Sequence, residues 1–321
     1  MNAAQTPRRW RTVLFALFSF AAVAGVLGIL VYRERDAFAT FQWQLDWRAV
    51  GVAFGLLLAG LGLAALAWAT VMRALGSQLP RTLHLRYYVI SHLARRLPGT
   101  VWYIAGRGYL YRQHGETVRL VTIASSLEYL LLTVAGAIAT LALWSYGLRS
   151  LPVVYMVAMA VTIALGLAAT HPASVRWALH RAGLVDFPPL HYAQILVLLG
   201  MYVLVWLFGG VMFFALTHAI AGTGVEHMLY LVGCWCLVGT LSVVVFFLPS
   251  NFGFTEVGLS LLLSAIMPTS LAVLVAVLSR VFVIAFELVA AGAVMGLLAL
   301  MARRQRRSGA THAPAIQDGS E

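Results

Sequence analysis

Long uninterrupted runs of apolar residues dominate this chain and decide the environment in which it folds. About 20 such residues cross a bilayer as an α-helix. Seven runs reach or approach that length: Thr12–Tyr32, Val50–Val71, Leu120–Leu143, Pro152–Thr170, Ala193–Leu216, Met228–Leu248 and Leu271–Met301. An eighth, Phe252–Met267, is shorter and is closed by Pro268. Hydrophobic residues make up 61% of the chain, against about 45–50% in soluble domains. The sequence therefore predicts an all-α polytopic membrane protein with about eight transmembrane helices.

Every basic residue is an arginine, and the distribution of these arginines among the loops predicts the orientation. With both termini in the cytoplasm, most loop arginines are cytoplasmic, and only Arg33, Arg35, Arg48 and Arg149 face the opposite side. We expect a cytoplasmic N-terminus over residues 1–11, a single transmembrane domain over 12–302, and a basic and then disordered cytoplasmic tail over 303–321. The first run is long for a signal peptide and lacks a clear cleavage site, so we interpret it as a retained span.

The segment Leu83–Arg112 begins and ends on the predicted cytoplasmic side but is too apolar for a simple loop. One helical stripe holds Leu83, Tyr87, Ile90, Ala94 and Leu97, and another holds His84, Tyr88, Ser91 and Arg95. Pro98-Gly99 then interrupts the helix, and the apolar stretch Thr100–Ile104 is too short to span. Two interpretations remain open: a re-entrant hairpin buried in the bundle, or an amphipathic helix lying on the membrane surface.

Few ionisable residues fall inside the predicted spans, where each costs about 2.5–3.5 kcal/mol on insertion scales. They are Glu128, Glu256, Arg280 and Glu287. Arg280 and Glu287 are seven residues apart and share a helix face. In one interpretation Arg280 pairs with a glutamate and only holds helices together. In the other, Arg280, Glu128, Glu256 and Arg107 line a polar cavity.

Two stretches of the chain begin alike, which suggests an internal repeat. They are LPGTVWYIAGRG (97–108) and LPSNFGFTEVG (248–258). A long span with a charged residue follows each, with Glu128 30 residues after Pro98 and Arg280 31 residues after Pro249. Paired interrupted helices in two halves of a transporter mark the substrate site where they meet.

At these residues the chain resembles the flippase-like family that shares the transmembrane region of lysylphosphatidylglycerol synthase. The resemblance covers roughly Val13 to Met301. Its first set of matching residues is Pro98-Gly99, Gly106-Arg107 and Glu128, and its second is Pro249, Gly253, Glu256 and Arg280. The chain departs from the family pattern at Ser250-Asn251, where two glycines are usual, and at Thr255, where arginine is common. These departures bear on which head group is bound rather than on the fold.

The resemblance implies a multi-pass protein of the bacterial inner (plasma) membrane that moves a lipid with an anionic or polar head group. The lipid classes it implies are phospholipids, polyprenyl-linked sugars and hopanoids. The synthases carry an additional soluble domain that transfers the amino acid, and we do not expect this chain to make lysylphosphatidylglycerol.

We therefore expect a lipid flippase or lipid-translocation factor that is not an enzyme and needs no metal or cofactor. The expected head-group contacts are Arg95, Arg96, Pro98, Gly99, Trp102, Gly106, Arg107, Glu128, Asn251, Gly253, Glu256, Arg280 and Glu287. Arginine forks match phosphate oxygens, so Arg280 is expected to hold a phosphate, with Glu128 or Glu256 as its resting partner. On this hypothesis Arg107→Ala and Arg280→Ala abolish lipid exposure on the outer leaflet and leave protein levels normal.

Two other functions fit the same residues. The chain could be a non-transporting membrane subunit that supports a glycosyltransferase or another lipid-modifying enzyme. It could also be a membrane-embedded lipid transferase, because His84, His92, His114 and Glu116 are predicted near the cytoplasmic face and a histidine–glutamate pair can perform acid–base chemistry. The expected partners are membrane lipids, and no nucleic acid is expected.

Overall fold

All regular secondary structure in the described part of the chain is helical, which confirms the all-α prediction. The computed structural model describes residues 32, 45–93, 101–184, 188, 190–244 and 253–310. The α-helices within them are α1 (Trp47–Ala74), α2 (Arg81–Leu93), α3 (Val101–Arg112), α4 (Val118–Leu143), α5 (Val153–Thr170), α6 (Pro172–Arg181), α7 (Tyr192–Ala221), α8 (Met228–Val244), α9 (Phe254–Leu263) and α10 (Thr269–Ala310).

Six of these helices are long and apolar enough to cross a membrane, namely α1, α4, α5, α7, α8 and α10. They coincide with six predicted spans and confirm a polytopic membrane protein. The predicted span Thr12–Tyr32 lies outside the described residues except for Tyr32. Helix α9 has 10 residues, which is shorter than a full crossing needs; Phe252–Met267 is counted in the prediction as a short or broken eighth crossing. The total of eight crossings stays a prediction.

The centre of the bundle is built from α1, α4, α7 and α8, which pack through small residues. Lipid tails are as apolar as leucine, so helices in a membrane associate by close packing rather than by hydrophobic exclusion from water. Gly136 of α4 faces Trp206 of α7 and Thr240 of α8, and a Cβ at Gly136 would lie 2.8 Å from the Trp206 ring. The Trp206 indole N–H donates to the Leu132 carbonyl at 2.8 Å, which fixes the ring against α4.

We expect Gly136→Ala to destabilise the bundle by about 1–3 kcal/mol, because the added methyl group overlaps the Trp206 ring and the Thr240 hydroxyl. Thermal unfolding of the purified protein in detergent measures this effect. Gly200→Ala on α7 is the matched control, because no described atom lies within 4 Å of its Cβ position. This control should be neutral or stabilising by about 0.5–1 kcal/mol. Equal unfolding temperatures for the two variants would contradict the packing described.

The loop arginines separate strongly between the two ends of the bundle. One end, here called the arginine end, carries exposed side chains at Arg73, Arg81, Arg86, Arg112, Arg119, Arg176 and Arg181. At the opposite end, the described arginines Arg48 and Arg149 are accompanied by Asp46 and Glu226. This is the asymmetry that the positive-inside rule describes.

Helices α2 and α3 form an antiparallel hairpin, the first hairpin, whose base lies at the arginine end. His84 and Tyr111 meet near the base, with 2.7 Å between Nδ1 and the hydroxyl oxygen, and Arg107 reaches Ser91 further in. At the base, the Ser77 hydroxyl donates to the Glu116 carboxylate and ties the preceding and following loops together. The stripe formed by His84, Tyr88 and Ser91 is buried. An amphipathic helix on the membrane surface would expose such a stripe, so the packing favours the re-entrant interpretation.

Helices α8 and α9 form a second antiparallel hairpin, whose base lies at the opposite end. The Tyr230 hydroxyl near the start of α8 donates to the Leu262 carbonyl near the end of α9, at 2.7 Å. Deeper in, the hydroxyl groups of Ser242 and Thr255 lie 3.1 Å apart. The start of α1 marks the same end, because the Asp46 N–H donates to the Ala219 carbonyl at the end of α7. The two hairpins therefore enter the bundle from opposite ends.

Candidate functional site

Arg107 on the first hairpin and Glu128 on α4 form an ion pair that is completely buried. The Arg107 Nη1 donates to the Glu128 carboxylate at 2.6 Å, and the side chains are 0% and 1% exposed. The Arg107 Nε donates to the Ser91 hydroxyl at 3.0 Å, so one guanidinium joins α2, α3 and α4. Glu128 is ten residues beyond the start of α4, which places the pair about 15 Å along that helix. The pair lies deep beside a spanning helix.

Aromatic rings enclose the Arg107 guanidinium. Its central carbon lies 3.8 Å from the centre of the Trp68 ring and 5.0 Å from the ring centres of Tyr88 and Tyr103. Stacking on tryptophan and tyrosine faces stabilises a desolvated cation by up to about 2 kcal/mol. The Trp68 indole N–H donates to the Tyr111 hydroxyl at 2.8 Å, which also bonds His84. In this conformation Arg107 is shielded from solvent and lipid, and its surroundings are those of a structural ion pair.

A second ion pair joins Glu256 of α9 to Arg280 of α10. The Glu256 Oε1 lies 3.3 Å from the Arg280 Nε, and Glu256 is only 3% exposed. The Gly253 N–H donates to the Glu256 Oε2 at 2.8 Å, which ties the carboxylate to the start of its own helix. Gly253 has a φ of +89°, a left-handed conformation that favours glycine.

Arg280 differs from Arg107 because 20% of its side chain is accessible. It lies eleven residues after Thr269 and fourteen before Val294, near the middle of the apolar length of α10. A partly accessible guanidinium at that depth is unusual, since ionisable groups within spans are costly unless they face a partner or a polar cavity.

His92 on the first hairpin contacts Glu287, two helical turns beyond Arg280. The His92 Nε2 lies 3.4 Å from the Glu287 Oε1. Seven residues on a helix correspond to about 10 Å, so the two opposed hairpins meet α10 about that far apart. In the sequence, His92 precedes one Leu-Pro pair (residues 97–98) by five residues, and Glu256 follows the other (residues 248–249) by seven. We call Glu256, Arg280, Glu287 and His92 the α10 centre.

The charged residues predicted from the sequence thus divide between two places. Glu128 pairs with Arg107, and Arg280 pairs with Glu256, one of the two partners considered for it. Helix α2 lies between the pairs, because Ser91 bonds Arg107 while the adjacent His92 contacts Glu287. The single cavity expected from the sequence stays a prediction; the Arg107 side chain is fully buried, whereas 20% of the Arg280 side chain is accessible.

The two ion pairs fall at corresponding places in the internal repeat that the sequence suggests, and the repeat itself stays a prediction. In each half, a short helix after the Leu-Pro stretch pairs with the next long helix: α3 with α4, and α9 with α10. The charges are exchanged, because the short helix carries arginine in the first half and glutamate in the second. Glu128 and Arg280 thus take corresponding positions on the two long helices although their charges are opposite.

Several predicted head-group residues lie outside the described residues, namely Arg95, Arg96, Pro98, Gly99 and Asn251. Trp102 lies in the first turn of α3, and its side chain is also outside the described part. Gly106 is exposed, and no described atom lies within 4 Å of its Cβ position. The tightly packed glycine of α3 is instead Gly108, whose Cβ would lie 3.3 Å from Val118.

Three of the four residues considered for acid–base chemistry lie at the base of the first hairpin: His84 bonds Tyr111, His114 lies 2.9 Å from the Tyr87 hydroxyl, and Glu116 accepts from Ser77. The fourth, His92, contacts Glu287 instead. Burial lowers the pKa of His84, so this histidine is uncharged at neutral pH. Within the described residues, no group of three or more metal-binding side chains occurs.

The aromatic residues around Arg107 and the contact of His92 with Glu287 were not predicted from the sequence. Trp68 carried a usable signal, because a tryptophan inside a span needs a partner for its indole N–H. Tyr88 and Ser91 were placed on one stripe, but nothing in that pattern indicated what the stripe faces.

No protein-family model and no curated protein matches this chain.

Proposed function

We propose that the chain is a lipid-translocation factor that passes an anionic phosphate head group through the α10 centre. The observation that carries the proposal is the partly accessible Arg280, paired with a buried glutamate near the middle of a spanning helix. It stands where two interrupted hairpins from opposite ends approach the same helix. In transporters, interrupted helices of this kind meet at the substrate site.

Arginine suits this task because its planar guanidinium offers donors in a fork that matches two phosphate oxygens. Glu256 engages Arg280 through Nε at 3.3 Å, a separation longer than that of a strong charge-assisted hydrogen bond. A lipid phosphate competes with this carboxylate for the guanidinium. The acyl or isoprenoid tails stay in the surrounding lipid while only the polar head enters the bundle. Arg107 has a different role, which is to hold the first hairpin against α4.

We place the protein in a bacterial inner membrane, with the arginine end in the cytoplasm. The charge asymmetry of the bundle supports this orientation. The seven arginines exposed there also attract anionic lipids of the cytoplasmic leaflet, each by about 1 kcal/mol near the membrane surface. The resemblance to the flippase-like family supports the same location and substrate class.

The proposal is tested with purified protein in vesicles that contain a trace of fluorescent phosphatidylglycerol. A membrane-impermeant reductant bleaches only the outer-leaflet label in protein-free vesicles. We expect the protein to make the inner-leaflet label accessible as well. A fluorescent lipid with an uncharged sugar head should move more slowly, because it offers no anion to Arg280. If neither lipid moves faster than in protein-free vesicles, the protein is not a translocation factor.

A further inference from the structure

We propose that binding of a lipid phosphate at Arg280 is coupled to uptake of one proton by the carboxyl group of Glu256. This inference rests on the proposed function, since it concerns the same centre. It adds a coupling ion to that function and predicts that a proton gradient drives the lipid toward the side of lower proton concentration.

The surroundings of Glu256 carry the inference. The carboxylate is buried, and Arg280 is the cation within 4.0 Å of it among the described side chains. Its remaining hydrogen bond comes from the neutral Gly253 N–H. The neighbouring helix α8 contributes a Ser242–Thr255 contact to this end of α9, and its sequence from Met228 to Val244 contains no Asp, Glu, His or Arg. The charge of Glu256 is thus balanced by Arg280.

A phosphate that binds the Arg280 guanidinium leaves the Glu256 carboxylate without its counter-ion. An unpaired carboxylate in a buried site is strongly unfavourable, and a carboxyl group in such a site becomes neutral by binding a proton. The step conserves charge: a phosphodiester anion arrives, a proton adds to a Glu256 oxygen, and the guanidinium stays protonated. The net charge of the centre is therefore the same before and after binding.

Other ionisable groups near the centre are already engaged. Glu287, two turns further along α10, contacts His92 of the first hairpin. Arg107 and Glu128 pair with each other beyond α2. Glu256 is the residue whose partner the phosphate takes, so it is the residue that binds the proton. Release of the lipid at the other leaflet restores the ion pair and frees the proton on the same side as the lipid.

The test measures binding of short-chain phosphatidylglycerol to the detergent-solubilised full chain by calorimetry between about pH 6 and about pH 8. For one linked proton, the affinity of the wild-type protein falls about tenfold per pH unit. The phosphodiester does not titrate in this range, so the dependence reports on the protein. Repeating the titration in two buffers with different heats of ionisation counts the protons directly, and we expect one per lipid.

Glu256→Gln supplies a neutral side chain of the same shape. We expect this variant to bind phosphatidylglycerol with an affinity that is independent of pH and equal to or tighter than that of the wild type at low pH. Glu226→Gln, an exposed loop substitution, is the matched control and should keep the wild-type pH dependence.

The outcomes separate this inference from the proposed function. Failure of the wild-type protein to bind phosphatidylglycerol at any pH overturns both. Binding with no pH dependence and no proton uptake overturns only the coupling. A pH dependence that survives in Glu256→Gln but disappears in His92→Gln places the proton on the histidine and also overturns the inference. If Glu256→Gln does not fold, the proton counts of the wild-type protein and of His92→Gln decide the question together: one proton per lipid in both supports Glu256, and loss of the proton in His92→Gln overturns the inference.

Discussion

Arg107→Met is expected to lower the free energy of unfolding by about 3–5 kcal/mol, a large part of the roughly 5–15 kcal/mol that keeps most proteins folded. The substitution leaves the Glu128 carboxylate buried without the guanidinium that contacts it at 2.6 Å. It also removes the stacking on Trp68 and the bond to Ser91 that connects the two arms of the first hairpin. Thermal or denaturant unfolding in detergent measures the loss.

The double variant Arg107→Met/Glu128→Leu separates the charge from the packing. Replacing both members of a buried pair with apolar residues of similar volume is often neutral or stabilising, so most of the loss should be recovered. Arg112→Met, an exposed substitution on the same helix, should change stability by less than about 0.5 kcal/mol. A single variant as stable as the wild type would show that the pair contributes nothing to the fold.

This expectation differs from the one drawn from the sequence, where Arg107→Ala was expected to abolish function at normal protein levels. The sequence shows that an arginine follows the Pro98-Gly99 stretch, but not whether that arginine faces a ligand or its own protein. The answer depends on which face of α1 carries Trp68 and on how α2 rotates against it. These are features of packing between helices distant in the sequence, and hydrophobic periodicity does not specify them.

The spans were predictable because crossing a bilayer requires a continuous run of apolar residues, which can be read directly from the sequence. The charged residues within the spans were predictable in the same way, because they interrupt those runs. The partners of these charged residues could not be predicted. Glu128 and Glu256 were equivalent candidates for Arg280 in the sequence, and the structure pairs Arg280 with Glu256 because α9 folds back beside α10. His92 was considered only for acid–base chemistry, because nothing local indicated that α2 approaches Glu287.

The second large effect, a loss of lipid movement, is expected for the double variant Arg280→Gln/Glu256→Gln. This variant removes both charges of the second ion pair. Neither member of this pair is left charged without the other, so the protein should fold with a stability close to that of the wild type. Lipid movement should nevertheless fall about 10-fold to 100-fold, since a hydrogen bond to a charged partner contributes about 1.5–3 kcal/mol. Loss of activity with retained stability distinguishes a ligand-binding pair from one that only joins helices.

Movement of fluorescent phosphatidylglycerol in vesicles containing this double variant shows whether the lipid phosphate needs the Arg280 guanidinium to cross the bundle. Arg48→Gln, at an exposed position of the opposite end, serves as the matched control and should transport at the wild-type rate. We expect the double variant to fold, enter vesicles and leave the inner-leaflet label protected. Wild-type rates from that folded variant would contradict this expectation, because a lipid phosphate would then cross the bundle without the Arg280 guanidinium.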